Sequence, residues 1–125
     1  MTKKKILIIE DEEYIASMYE LKFKQSDYDV IVSGNGLDGF DKAQQMSPDV
    51  ILLDLILPEM TGYEILKKLK KDPKTEEIPV IITSNLAQNH EVQHGLDLGA
   101  VDYIVKTSIT PSELVSRVDS VVKSQ

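Results

Sequence analysis

Five short apolar runs, each closed by polar residues and each followed by residues at helical spacing, constrain this 125-residue chain more than any other feature. The runs lie at residues 6–9, 28–32, 50–53, 78–83 and 101–105. The run at 50–53 is unbroken Val-Ile-Leu-Leu, short enough for a strand buried on both faces. Strands that alternate with helices build a mostly parallel sheet covered on both sides. With no linker, repeat or low-complexity segment, residues 1–125 read as one α/β domain.

The central stretch is Asp49-Val-Ile-Leu-Leu-Asp-Leu-Ile-Leu-Pro-Glu-Met-Thr-Gly62. A carboxylate is costly to desolvate without partners, so Asp54 is expected as an exposed acid where the strand emerges at its carboxyl end. Pro58 cannot donate to a ladder, so the strand ends before it. Thr61-Gly-Tyr-Glu64 is a capping box that starts a helix. In an open α/β sheet, ligands bind at such strand ends.

The helices follow from the same pattern. Glu10-Asp-Glu-Glu13 precedes the first, where acids favour the helix dipole, and Ile15, Met18 and Leu21 mark its apolar face. After a Ser33-Gly-Asn-Gly36 loop, Leu37, Phe40 and Ala43 or Gln44 mark the second, broken by Ser47-Pro48. The third runs from Thr61 to about Lys71, with Ile65, Leu66 and Leu69 inward and Lys67, Lys68, Lys70 and Lys71 solvated. A weaker helix covers about 88–98, stopped by Gly99. Thr110-Pro-Ser-Glu113 caps the last one, with Leu114, Val118 and Val121 as its stripe.

Several function classes drop out. No apolar run approaches the ~18 residues of a membrane span, and Met-Thr-Lys-Lys-Lys followed by a short run and acids is a poor signal peptide. A cytoplasmic location is expected, with no membrane association. The absence of cysteine excludes disulfides, thiolate metal sites and thiol catalysis. A net charge of −7 argues against direct nucleic-acid binding. His90 and His94 have a metal-compatible spacing, but no third ligand is near in sequence, so they read as a solvated face.

Four runs end in chemically useful groups: Glu10 and Asp11, Asp54, Thr83 and Ser84, and Lys106. Any one of them is an ordinary loop residue. In a parallel sheet, however, all of these ends share one edge. Two unit charges ~5 Å apart at an effective dielectric of ~20 repel by roughly 3 kcal/mol. Three acids therefore call for a hard cation, Mg²⁺ or Mn²⁺. The acids are too far apart in sequence for an EF-hand calcium loop. The lysine and hydroxyls are donors suited to a phosphoryl group. No cysteine is available, neither histidine is on the rim, and Ser84 lacks a nucleophile elbow. A carboxylate can itself attack phosphorus, and Asp54, alone on the central strand, is the candidate.

At this point the chain strongly resembles the receiver domain of bacterial two-component response regulators. Ile6-Leu-Ile-Ile-Glu-Asp-Glu12, Leu52-Leu-Asp-Leu-Ile-Leu-Pro-Glu-Met-Thr-Gly62, Pro79-Val-Ile-Ile-Thr-Ser84 and Gly99-Ala-Val-Asp-Tyr-Ile-Val-Lys106 carry the resemblance over nearly the whole chain. It implies a flavodoxin-like (βα)5 three-layer sandwich with a parallel five-stranded sheet of order 2-1-3-4-5. It implies phosphorelay signalling: Asp54 would take a phosphoryl group from a sensor histidine kinase or phosphotransfer protein. Glu10, Asp11, Asp54 and the backbone carbonyl of Ile56 would hold Mg²⁺. Lys106 would pair with the phosphate, Thr83 would bond to it and Tyr103 would change rotamer, while Ser84 would flank phosphate access. Phosphorylation adds about −1.5 to −2 charges, and the fourth helix, fifth strand and fifth helix would present the result to an unknown downstream protein. The chain reads as a stand-alone receiver, acting through a bound partner or as a phosphate relay, or else as a domain excised from a longer regulator.

Three departures stand out. Thr107 follows Lys106 where the family usually has proline, so a trans peptide or a strained loop is expected there. Glu10 replaces a commoner aspartate. Ile56, two residues after the phosphoacceptor, is apolar and is expected to hinder attacking water. Ile56 also counts against the alternative function, a metal-dependent phosphatase or phosphotransferase with an aspartyl nucleophile, because such enzymes often place a second acid at that position. A flavin- or nucleotide-binding protein is disfavoured by the acids at 10–13, which would repel phosphate without a cation.

Overall fold

A computed structural model describes residues 3–124. Along the chain the elements are β1 (Lys4–Ile9), α1 (Glu13–Gln25), β2 (Tyr28–Ser33), α2 (Gly36–Met46), β3 (Val50–Asp54) and α3 (Gly62–Lys71). They continue with β4 (Val80–Ser84), α4 (Asn89–Asp97), β5 (Asp102–Val105), a 3-10 turn at Lys106–Ser108 and α5 (Pro111–Lys123). All strands pair in parallel in the order β2-β1-β3-β4-β5. This is the expected three-layer sandwich.

Strand periodicity sorts the core into two layers. Leu7, Ile9, Ile51, Leu53, Val80 and Ile82 face Ala43, Ile65, Leu66 and Leu69 of α2 and α3. Ile6, Ile8, Val50, Leu52, Ile81 and Ile104 face Tyr19 and Phe23 of α1 and Leu114, Val115, Val118 and Val122 of α5. Each fully buried aliphatic side chain contributes ~1.5–3 kcal/mol, so both layers hold the sheet firmly beneath its rim.

The capping boxes at Thr61–Glu64 and Thr110–Glu113 both form, and Asn35 caps α2 by accepting from Asp38 N at 2.8 Å. Ser47 ends α2 in the left-handed region at φ 47°. Thr75, fully buried, donates its hydroxyl to Leu69 O at 2.6 Å and closes the far end of α3.

Some expectations are corrected. The inward face of α1 is Ala16, Tyr19 and Phe23, whereas Leu21 is 60% and Met18 37% exposed. Two aromatic rings outcompete the aliphatic stripe because they reach further into the layer beside α5, Phe23 packing edge-on against Tyr28. Leu37 is likewise exposed, and α2 docks through Gly36, Gly39 and Ala43. The fourth strand begins at Val80, after Pro79, because Ile78 N is committed to Thr75 O in a turn.

Candidate functional site

Each strand end brings its polar group to the rim as the topology demands. Glu10 follows β1 directly and donates its N–H to Ser33 O at 3.0 Å, which ties it to the neighbouring strand end. Asp54 and Thr83 are register partners on β3 and β4, and Leu55 N donates to Thr83 O at 3.1 Å. Lys106 opens the 3-10 turn just past β5. No peptide among the described residues is cis, so the bond between Lys106 and Thr107 is trans.

Asp54 was expected as an exposed acid; instead it is the last residue of β3 and only 4% exposed. The reason is a set of partners. Lys106 Nζ lies 3.2 Å from Asp54 Oδ1, and Ile56 N donates to the same oxygen at 3.3 Å. Glu10 is equally buried and accepts from Lys106 Nζ at 2.7 Å through Oε1 and from Glu12 N at 3.2 Å through Oε2. Asp11 is exposed. One carboxylate oxygen from each of Glu10, Asp11 and Asp54 lies within 4.8 Å of the others, the one such group of three among the described residues. All donors are hard oxygens, two of them buried, the set that a hydrated divalent cation prefers. His90 and His94 belong to no such group: His90 pairs with Glu91 at 3.3 Å and His94 packs edge-on against Tyr63.

The electrostatics follow from burial. Desolvation, reinforced by the adjacent Glu10 carboxylate, pushes the Asp54 carboxyl up to about 7 against the pull of Lys106. Burial alone would lower the Lys106 ammonium, but its bond to Glu10 and the charge of Asp54 carry it above its ordinary value. The site thus holds more negative charge than its one lysine balances. Tyr19 on α1 is a neighbour the sequence did not single out. Burial raises its phenol and the Lys106 charge draws it back, which puts it within electrostatic reach of the rim.

Ile56 is 60% exposed beside Asp54, and a cleft of about 210 Å³ opens there, lined by Asp11, Glu12, Asp54, Ile56, Asn85, Leu86 and Lys106. A larger cleft of about 520 Å³ lies between β5 and α5 and contains none of the converging acids. Thr83 and Ser84 are both buried, and Ser84 Oγ accepts from Leu86 N at 3.0 Å. Tyr103 packs inward at 8% exposure and donates its hydroxyl to Leu86 O at 2.7 Å.

The response regulator receiver domain family matches residues 6–119. The response regulator ArlR of Staphylococcus saprophyticus is 38% identical over 121 residues, covering 97% of this chain and 53% of the relative. The chain therefore spans about half the length of the curated relatives it matches. The receiver domain of the Francisella response regulator 1452 superposes with a TM-score of 0.89 at 30% identity, covering 97% and 98% of the two chains. The BeF3-activated DrrB receiver domain gives a TM-score of 0.87 at 27% identity, covering 99% and 100%. With the family model covering residues 6–119 and the strand order that of the structural neighbours, the chain belongs to the response regulator receiver domains, the phosphoacceptor switches of two-component phosphorelay signalling.

Proposed function

We propose that Asp54 accepts the phosphoryl group and that residues 1–125 act as one receiver unit. The observation that carries this is the single ammonium of Lys106 set 3.2 Å from Asp54 Oδ1 at the edge of a three-carboxylate cluster. One Asp54 carboxylate oxygen attacks phosphorus of a phosphohistidine on a sensor kinase or phosphotransfer protein. The P–N bond breaks, and its electron pair leaves with the imidazole. Lys106 neutralises the oxygens of the arriving group and orients it.

Glu10, Asp11, Asp54 and the Ile56 carbonyl would hold Mg²⁺, or Mn²⁺, and the donor chemistry fits. When bound, the ion supplies charge neutralisation between the acids and the phosphoryl oxygens. Thr83, the register partner of Asp54, donates its hydroxyl to the new phosphoryl group, and Leu86 lines the approach to it while the buried Ser84 holds Leu86 by accepting from its N–H. Tyr103 then follows the β4–α4 segment through its bond to Leu86 O. The readout surface is α4, β5 and α5, facing a downstream protein of the cytoplasm. An exposed isoleucine two positions after Asp54 leaves the phosphatase alternative without its proton donor.

Labelling by acetyl phosphate, or binding of beryllium fluoride, should require both Mg²⁺ and Asp54. Wild type and Asp54→Ala behaving alike would end the proposal.

A further inference from the structure

Helix α4 has very little core of its own. Of its nine residues only Gly95 is buried, where a Cβ would come within 2.6 Å of Ile82 Cδ1. Two tyrosine hydroxyls hold the segment that leads into it. Tyr103 donates to Leu86 O at 2.7 Å, before the helix. Tyr63, from α3, donates at 2.6 Å to Glu91 Oε2 and lies 3.0 Å from Glu91 O, in the first turn. Burial, with the Glu91 bond adding to it, holds the Tyr63 phenol protonated and able to donate. The His94 ring packs edge-on against Tyr63 at 4.4 Å, on the same side of α4.

Tyr63 is also tied to the site. Its neighbour Gly62 donates to Leu55 O at 2.8 Å, and a Cβ at Gly62 would sit 2.5 Å from Asp54 O. The first turn of α3 is thus pressed onto the backbone of Asp54 itself. The path runs from Asp54 through Gly62 and Tyr63 to Glu91, on the α3 side of the molecule. It is separate from the path through Thr83 and Tyr103.

We propose that Tyr63 is a positioning residue: its hydroxyl on Glu91 docks α4 in the conformation that assembles the phosphoacceptor site, and so couples α4 to Asp54. This rests on the phosphoacceptor reading above. In the arrangement described, Lys106 and Glu10 already converge on Asp54, with Thr83 beside it in register, so the clamp favours the site-competent state. Reciprocity then requires that occupation of the site tighten α4.

The test compares wild type, Tyr63→Phe, Glu91→Gln and Asp54→Ala in Mg²⁺. Hydrogen exchange is followed over residues 89–97, and beryllium fluoride binding is measured by NMR titration. Tyr63→Phe keeps the ring and its contact with His94 and loses only the donor. A hydrogen bond to a carboxylate is worth enough to make exchange in α4 about tenfold faster and beryllium fluoride binding about three- to tenfold weaker. Glu91→Gln retains an acceptor and stays within about twofold of wild type. Tyr63→Phe that binds beryllium fluoride as tightly as wild type, or more tightly, overturns the coupling while leaving the phosphoacceptor reading intact. Wild type and Asp54→Ala that bind alike overturn both.

Discussion

Lys106 Nζ donates to Glu10 Oε1 at 2.7 Å across 96 residues of sequence, and the Lys106 side chain is only 12% exposed. The pair joins the ends of the first and fifth strands and leaves the same ammonium 3.2 Å from Asp54. Removing one member of a buried ionic group strands the others. Lys106→Met is therefore expected to lose about 3 kcal/mol of stability at pH 7.5 in chelator-treated buffer, read by urea denaturation. Because the stranded charges are the acids of the cation cluster, millimolar Mg²⁺ should stabilise this variant more than it does wild type. Equal stabilisation of both proteins would argue that the cluster does not bind the ion.

Asp54 makes the opposite prediction. Its carboxyl is raised from an ordinary value of 3.8 to about 7, chiefly by burial and then by Glu10. Below pH ~4 the acid is protonated folded and unfolded, and it costs nothing. Between pH ~4 and ~7 the unfolded chain loses the proton while the folded chain keeps it, so stability falls as pH rises through this window. Above ~7 the full cost is present. Asp54→Asn removes this titration, so its stability advantage should grow from pH 4 to 7 and level off beyond. At pH 8 without metal the gain should be about 2 kcal/mol, half of what the shift alone would give, because water enters the cleft and screens it. A denaturation series in which wild type and variant run parallel from pH 4 to 8 would contradict the burial argument.

The seating of α3 against the site is steric. At Gly62 a Cβ would meet Asp54 O at 2.5 Å and Leu55 Cα at 2.7 Å, both backbone atoms that cannot rotate away. Gly62→Ala should cost about 2–3 kcal/mol, in the range of core overpacking. It should also move the Asp54 backbone, so beryllium fluoride binding should weaken more than the stability loss alone explains. Gly34, where nothing lies within 4 Å of a built Cβ, is the control: Gly34→Ala should be near neutral. Thermal unfolding and ligand titration of the two variants side by side separate the effects.

The parts of this molecule that were legible in the sequence are those fixed by local chemistry. Apolar runs of strand length at 6–9 and 50–53 placed β1 and β3, and Thr61-x-x-Glu64 placed the start of α3. What was not legible depended on distant partners. Asp54 looked too polar to bury because its compensating cation arrives from the far end of the chain. The face of α1 was only partly legible: Ile15 packs against the layer beside α5 as expected, but Tyr19 and Phe23 fill it, while Met18 and Leu21 are exposed. The grip of Tyr63 on Glu91 left no trace in spacing, since the two residues lie 28 apart in different helices.

The rate at which the phosphoryl group is lost should be set by Ile56. Hydrolysis needs water in line with the Asp54–phosphoryl bond and a group to orient it. Ile56 is 60% exposed and lines the cleft with Asp54, Asn85 and Leu86, so a branched apolar side chain stands where an approaching water would be held. Ile56→Asn supplies an amide that can both accept from and donate to that water. Its backbone N–H still reaches Asp54 Oδ1 as in wild type, because the change is confined to the side chain. The expected outcome is phosphate loss several-fold faster, below the ~10²-fold at which general acid–base catalysis begins, because an amide orients the water without taking its proton. Phosphorylation with labelled acetyl phosphate followed by a chase gives the two rates directly, and the rate of loading serves as the internal control. Equal lifetimes for wild type and Ile56→Asn, with loading unchanged, would show that the apolar side chain does not guard the bond.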